Sequence, residues 1–180
     1  MQRTHLALNR ALLELMVETG YEKLTVQHIL DRALVGRATF YLHYRSKEDL
    51  LRRSLDMLAQ HLREACRSPH GLTLAFFRHV DQHRELYRAI VGRESGFIVD
   101  QQMRRVVAAL LREESGGSGV QAEFVAEYVT GALMSVVTWW LGRNIRLTPE
   151  QVDETFRGMT VPGRRLAGGP AADEGVCPTL

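Results

Sequence analysis

Two stretches of this chain carry side chains whose type and spacing could do chemistry. In Arg37-Ala-Thr-Phe-Tyr-Leu-His43 a guanidinium, two hydroxyls and an imidazole follow one another closely. On a short helix Phe40 would point at the core and leave Arg37, Ala38, Thr39, Tyr41 and His43 as a mostly polar outer surface, small enough to suit a major groove. The second stretch, His79-x-Asp81-x-His83, places two imidazoles four residues apart on one helix face, the geometry of a bidentate metal site. Cys66 with His70 offers a weaker pair. Neither pair brings a third or fourth ligand, so a solvated polar face is the favoured reading and no metal is expected. There is no glycine-rich phosphate loop, no nucleophile elbow and no spaced Ser/His/Asp set, which leaves an enzyme reading without support and implies no cofactor.

The elements that must position the first stretch are legible around it. Thr25 is a candidate N-cap, and Val26, Ile29, Leu30 and Ala33 recur at helical spacing as a core stripe. Leu34 and Val35 lead to Gly36, where the chain is expected to turn because glycine tolerates backbone angles that larger residues resist. A short helix over Arg37 to Leu42 follows, then Tyr44, then Ser46 as the cap of a third helix with Asp49 in its first turn, near the positive end of the dipole. Lys47 sits at that same helix start, poorly placed for the dipole, and a phosphate partner would explain it. Two short helices, a turn and a capped third helix are the pattern of a helix-turn-helix DNA reader.

Gly20-Tyr21 closing a first helix, Thr25-Val26 opening the second, Thr39-Phe40-Tyr41 in the recognition helix and Tyr44-x-Ser-Lys-Glu-Asp-Leu after it make this segment resemble the N-terminal domain of the TetR family of bacterial transcriptional regulators. The resemblance covers about the first fifty residues. It implies that Arg37 and Ala38 face base edges while Thr25, Thr39, Tyr41, His43 and Lys47 mostly hold phosphates. Two positions depart from the family pattern: Leu34 stands where glycine is usual, and Gly36 where a Ser or Thr cap is common. A turn shifted by one residue is therefore expected. The resemblance further implies a homodimer on a palindromic operator, released by a small apolar or amphipathic effector. The rival reading is a ligand- or metal-sensing dimer, through His79 and His83, whose head is vestigial or binds protein.

Composition agrees. With 180 residues, 45% of them hydrophobic, the chain can bury one sizeable core, or a small head on a larger body. The net charge of +2 is too small to imply nucleic acid alone, but residues 1 to 53 hold nine Lys and Arg against six Asp and Glu, so the basic excess sits on the head. Cys66 and Cys177 are too few and too far apart for a disulfide framework. The first residues lack a signal pattern and form an amphipathic helix instead, with Leu8, Ala11, Leu12, Leu15 and Met16 on one face, so a cytoplasmic protein, nucleoid-associated when DNA-bound, is expected.

Beyond the head only helical patterns appear, and the expected fold is all-α: a three-helix head over 1–50, a helical effector and dimerisation body over 51–160, and a Gly/Pro-rich disordered tail over 161–180. Ser46 to about Cys66 reads as one long helix ended by the breakers 67–71. One or two helices follow from Leu72 to Val91, another spans Asp100 to Arg112, and Glu114 to Gly119 is a loop. Val120 to Leu141 is apolar around nearly its whole circumference, which fits burial on both sides. Glu123 and Glu127 argue against a membrane span. Thr148-Pro149-Glu150-Gln151 reads as a capping box with Pro at the first helical position. A dimer interface is expected on Val129, Ala132, Val136, Trp139, Val152, Phe156 and Met159, and an effector cavity lined by Phe97, Phe124, Tyr128, Met134 and Trp140.

Overall fold

The computed structural model describes residues 2–65, 71–90, 97–115, 118–143 and 145–168, and among them every regular element is an α-helix. The head comprises α1 (Gln2–Thr19), α2 (Val26–Ala33) and α3 (Arg37–His43). Its apolar stripes meet as predicted: Leu8, Leu12 and Met16 of α1 close on Ile29 and Leu30 of α2, Phe40 of α3 and Tyr44. The third helix, α4 (Lys47–Ala65), starts in the head and ends in the body. Ser46 caps it, the Asp49 amide donating to Ser46 Oγ at 3.3 Å.

The body comprises α5 (Gly71–Gln82), α6 (Arg84–Ile90), α7 (Phe97–Ser115), α8 (Val120–Gly142) and α9 (Pro149–Gly168). The stretch from Leu72 is thus two helices broken at His83, and α7 starts and ends about one turn outside its expected span because helix ends carry weak apolar signals. Gly71 opens α5 at φ +70, a left-handed backbone that favours glycine, and a Cβ there would meet Glu114 Oε1 at 2.9 Å. That same oxygen accepts from the Leu72 amide at 3.1 Å, so Glu114, expected in a loop, belongs to α7 and satisfies the start of α5. Residues 66–70, which hold Cys66, His70 and all of the breaker cluster but Gly71, lie outside the described residues, as does Cys177.

Phe77 organises the centre of the body. Its ring meets Trp140 of α8 and Phe156 of α9 edge-on, at centroid distances of 6.1 and 5.8 Å. Trp140 Nε1 donates to the Leu147 carbonyl at 3.1 Å, which satisfies the one polar atom of a fully buried indole. The Thr148 box forms as expected: the Gln151 amide donates to Thr148 Oγ1 at 3.3 Å and the Thr148 amide to Gln151 Oε1 at 3.0 Å. The helix it opens, α9, continues to Gly168, past residue 160 where the composition predicted a tail. Extending an established helix is far less costly than nucleating one, so composition alone underestimates its length. Residues 169–180 lie outside the described set.

α1 packs on α2, on α4 and on α6, so the head rests directly on the body and the two share one continuous apolar core. α8 buries Val129, Leu133, Met134, Val137 and Trp140 against its neighbours. By length and composition α8 could cross a membrane, but close to half of its most apolar stretch is buried inside the protein, packed mainly on α7 and α9.

Candidate nucleic-acid interface

Caps fix the start of α2 and the turn between α2 and α3. Thr25 Oγ1 accepts from the His28 amide at 3.2 Å and the Thr25 amide donates to His28 Nδ1 at 3.4 Å, a capping box in which an imidazole replaces the usual carboxylate or amide. The left-handed residue of the turn is Leu34, with φ 54 and ψ 42, and its side chain is 93% exposed. Gly36 has an ordinary extended backbone at φ −68 and serves as the N-cap of α3 without a side-chain bond. The expected shift of the turn onto Gly36 is therefore corrected: Leu34 keeps the position where the family has glycine, held by its own amide and that of Val35 donating back to the Leu30 carbonyl.

Phe40 is fully buried and tilts against Tyr44, anchoring α3 by one aromatic peg. The helix turns Arg37, Ala38, Thr39, Tyr41 and Leu42 to the outside. Arg37 is held from α2, its Nη2 donating to Gln27 Oε1 at 2.8 Å while Gln27 Nε2 donates to Asp31 at 2.7 Å. Sequence reasoning missed Gln27 and the exposed Leu42; their signal is polar or apolar character on the outer face of a reading helix pair. His43 is half-buried against His5, with 4.7 Å between rings, and His5 Nδ1 lies 2.7 Å from the Tyr44 hydroxyl. Desolvation, then the neighbouring His43 and Arg53, hold His5 below the ordinary imidazole range. The N-terminus of α1 is thereby tied to the end of the recognition helix.

Lys47, expected to hold a phosphate, is engaged within the chain. Its Nζ donates to the carbonyls of Leu24 at 2.8 Å and Tyr21 at 3.1 Å and lies 4.6 Å from the Tyr21 ring centroid. The ammonium is engaged within the protein, pinning the loop between α1 and α2, which explains a cation at a helix start without a phosphate.

The five residues expected around an effector fall into two groups. Phe97, Phe124 and Tyr128 are exposed, while Met134 and Trp140 are core. The expected interface also divides. Val129, Val152 and Phe156 are buried in the subunit's own core, Ala132 and Val136 are half-buried, and Trp139 and Met159 are exposed. The outward apolar side of α8 instead runs through Val120, Phe124, Tyr128 and Trp139. A helix apolar all round gives no phase, so sequence could not tell the inner residues from the outer ones. His79 and His83 do meet, with rings 4.6 Å apart, but among the described residues no group of three or more His, Cys, Asp or Glu side chains could hold a metal ion.

Comparisons with known proteins address the whole chain. Residues 9–53 match the family model for bacterial regulatory proteins of the tetR family, and residues 67–161 match a transcriptional regulator C-terminal region. A TetR transcriptional regulator from Streptococcus agalactiae superposes with a TM-score of 0.63 at 26% identity, covering 88% of this chain and 94% of that one. A TetR-family regulator from Syntrophomonas wolfei gives 0.64 at 16% identity, over 96% and 99%. The regulator FadR from Bacillus subtilis, in complex with stearoyl-CoA, gives 0.61 at 17% identity, over 88% and 98%. The latter two bear on fold alone. A search of curated proteins found no match.

Proposed function

Because the chain belongs to the tetR family of bacterial regulatory proteins, and so is a DNA-binding transcriptional regulator rather than an enzyme, we propose that it acts as a homodimeric repressor on a palindromic operator and lets go when a small molecule binds the body. The observation that carries the reading is the outer surface of α3, where Arg37, Ala38, Thr39 and Tyr41 stand exposed on a helix locked by Phe40. Arg37 and Ala38 read base edges; Thr25, Thr39, Tyr41 and His43 hold phosphates or orient the helix. One helix of seven residues reads too few bases for a specific site, so a second head is required, and the exposed Phe124, Tyr128, Trp139 and Met159 are the surface a second copy covers. The protein acts in the cytoplasm, on the nucleoid when bound.

Release follows from linkage: an effector that prefers the body conformation with wrongly spaced heads lowers operator affinity by its differential affinity for the two states. α4 runs from the head into the body and α1 lies on α6, so a body movement reaches α3 through packed helices. Titrating the protein onto short duplexes over a range of salt tests the reading. A steep salt dependence with two chains per duplex, lost in Arg37→Ala, is expected; a weak complex indifferent to Arg37 overturns it.

A further inference from the structure

The helix α3 carries an apolar strip where its surface is turned most fully outward. Phe40 points into the core and is fully buried. At about 100° per residue, the positions farthest from it, roughly 160° away on either side, are Ala38 and Leu42. Both are exposed, and Leu42 keeps 74% of its surface in water. Four residues apart, the two lie together on one face. Thr39 and Tyr41, also exposed, flank the strip on its two sides, so hydroxyls border it while its own side chains carry neither a charge nor a hydrogen-bonding group.

A single exposed leucine on a protein surface is ordinary. Leu42 differs by its place, at the middle of the surface proposed above to enter the major groove. A phosphate gains nothing from two alkyl groups. A protein partner needs a contact of roughly 800 Å² a side, against a strip two side chains wide and bordered by hydroxyls. The floor of the major groove offers the match: among the base edges there, the thymine 5-methyl is the apolar group, and the others are hydrogen-bond donors and acceptors. Residues four apart span about 6 Å along a helix and stacked base pairs are about 3.4 Å apart, so the strip covers one or two successive pairs. The small Ala38 lets the backbone come close to the bases, and the longer Leu42 reaches further.

We propose that Leu42, with Ala38 beside it, is a specificity-determining residue that reads a thymine 5-methyl group in each half-site by apolar contact. The inference rests on the operator-binding regulator proposed above and adds a residue to its reading surface and a base to its site. Arg37 selects by hydrogen bonding, whereas Leu42 selects by taking alkyl surface out of water. Its share of the discrimination therefore persists as salt rises, while phosphate contacts fade.

The test uses the duplex that the full chain recovers from a random pool, resynthesised with one thymine position at a time, in both half-sites, replaced by uracil, which lacks only the 5-methyl. At one such position the wild-type chain is expected to lose about fourfold for each methyl removed, hence more than about tenfold for the two half-sites, and by the same factor at low and at high salt. Leu42→Ala, at an exposed position, is expected to keep its helical circular dichroism, to bind the thymine duplex about as weakly as the wild type binds the uracil one, and to be indifferent to the exchange. Leu42→Met, still apolar, is expected to keep the discrimination. Equal binding of the thymine and uracil duplexes at every position, a recovered half-site without thymine, or a Leu42→Ala chain that keeps the full uracil loss overturns the inference and leaves the regulator reading standing. Recovery of no sequence by the wild-type chain overturns the regulator reading, and this inference with it.

Discussion

Arg37 of the recognition helix is held by Gln27 of the preceding helix, guanidinium Nη2 to amide Oε1 at 2.8 Å. A long, flexible side chain that would otherwise lose conformational freedom on meeting DNA is thereby partly ordered beforehand. Arg37→Ala should weaken a specific duplex complex by about 1–3 kcal/mol, the worth of a good base contact. Gln27→Ala should cost less, about 0.5–1 kcal/mol, because it only frees the arginine. Fluorescence anisotropy on one duplex measures both; an equal loss in the two variants would make Gln27 a DNA contact in its own right.

Leu34 takes the left-handed backbone that a side chain other than glycine resists, and it does so almost wholly exposed. Leu34→Gly removes a conformational cost of about 1–2 kcal/mol and adds some chain entropy to the unfolded state, so a net gain of about 1 kcal/mol is expected in a urea melt. Leu34→Ala, which keeps the Cβ, should gain nothing. A loss of stability in the glycine variant would mean that the leucine side chain contributes more than its exposure suggests.

Tyr128 and Trp139 lie on the outside of α8 and Phe156 on the inside of α9. Tyr128→Glu with Trp139→Glu should turn a dimer into a folded monomer in sedimentation velocity, with the helical circular dichroism kept. Phe156→Ala should instead lower stability by about 3–5 kcal/mol. A dimer that survives both charges would place the interface elsewhere.

His79 is an imidazole held down to about 4 by burial, then by His83 and His61. Its unfolded value is higher, near 6.5, so between these values the unfolded chain binds more protons than the folded one. Stability contributed by neutral His79 is therefore full above about pH 6.5 and falls as the pH drops toward 4, by up to about 3 kcal/mol. Urea melts at pH 7 and pH 5 should show the fall, and His79→Leu should flatten it. A wild-type stability independent of pH across this window would contradict the geometry of the pair.

What the sequence made legible was local. The caps at Thr25, Ser46 and Thr148 depend on residues three apart, and the head's stripe from Leu8 to Met16 is periodic enough to give a face. Legibility failed where a long-range contact decides. The contacts of Lys47 within the chain were not legible because its partners, the carbonyls of Tyr21 and Leu24, lie more than twenty residues back. Val129 and Tyr128 are neighbours on a helix apolar on both sides, so only the packing of α7 and α9 shows that Val129 is core and Tyr128 is surface. The packing of α1 on α6 is a further such contact, a pairing that no periodicity in either segment announces.

The most direct test of the central claim is selection of binding sites from a random duplex pool by the purified protein at physiological salt. The account predicts recovery of one inverted repeat with half-sites about 10 base pairs apart, bound by two chains, and its loss when Arg37→Ala is used in the same selection. Recovery of no sequence above background, or of the same sequences by the Arg37→Ala variant, would contradict it.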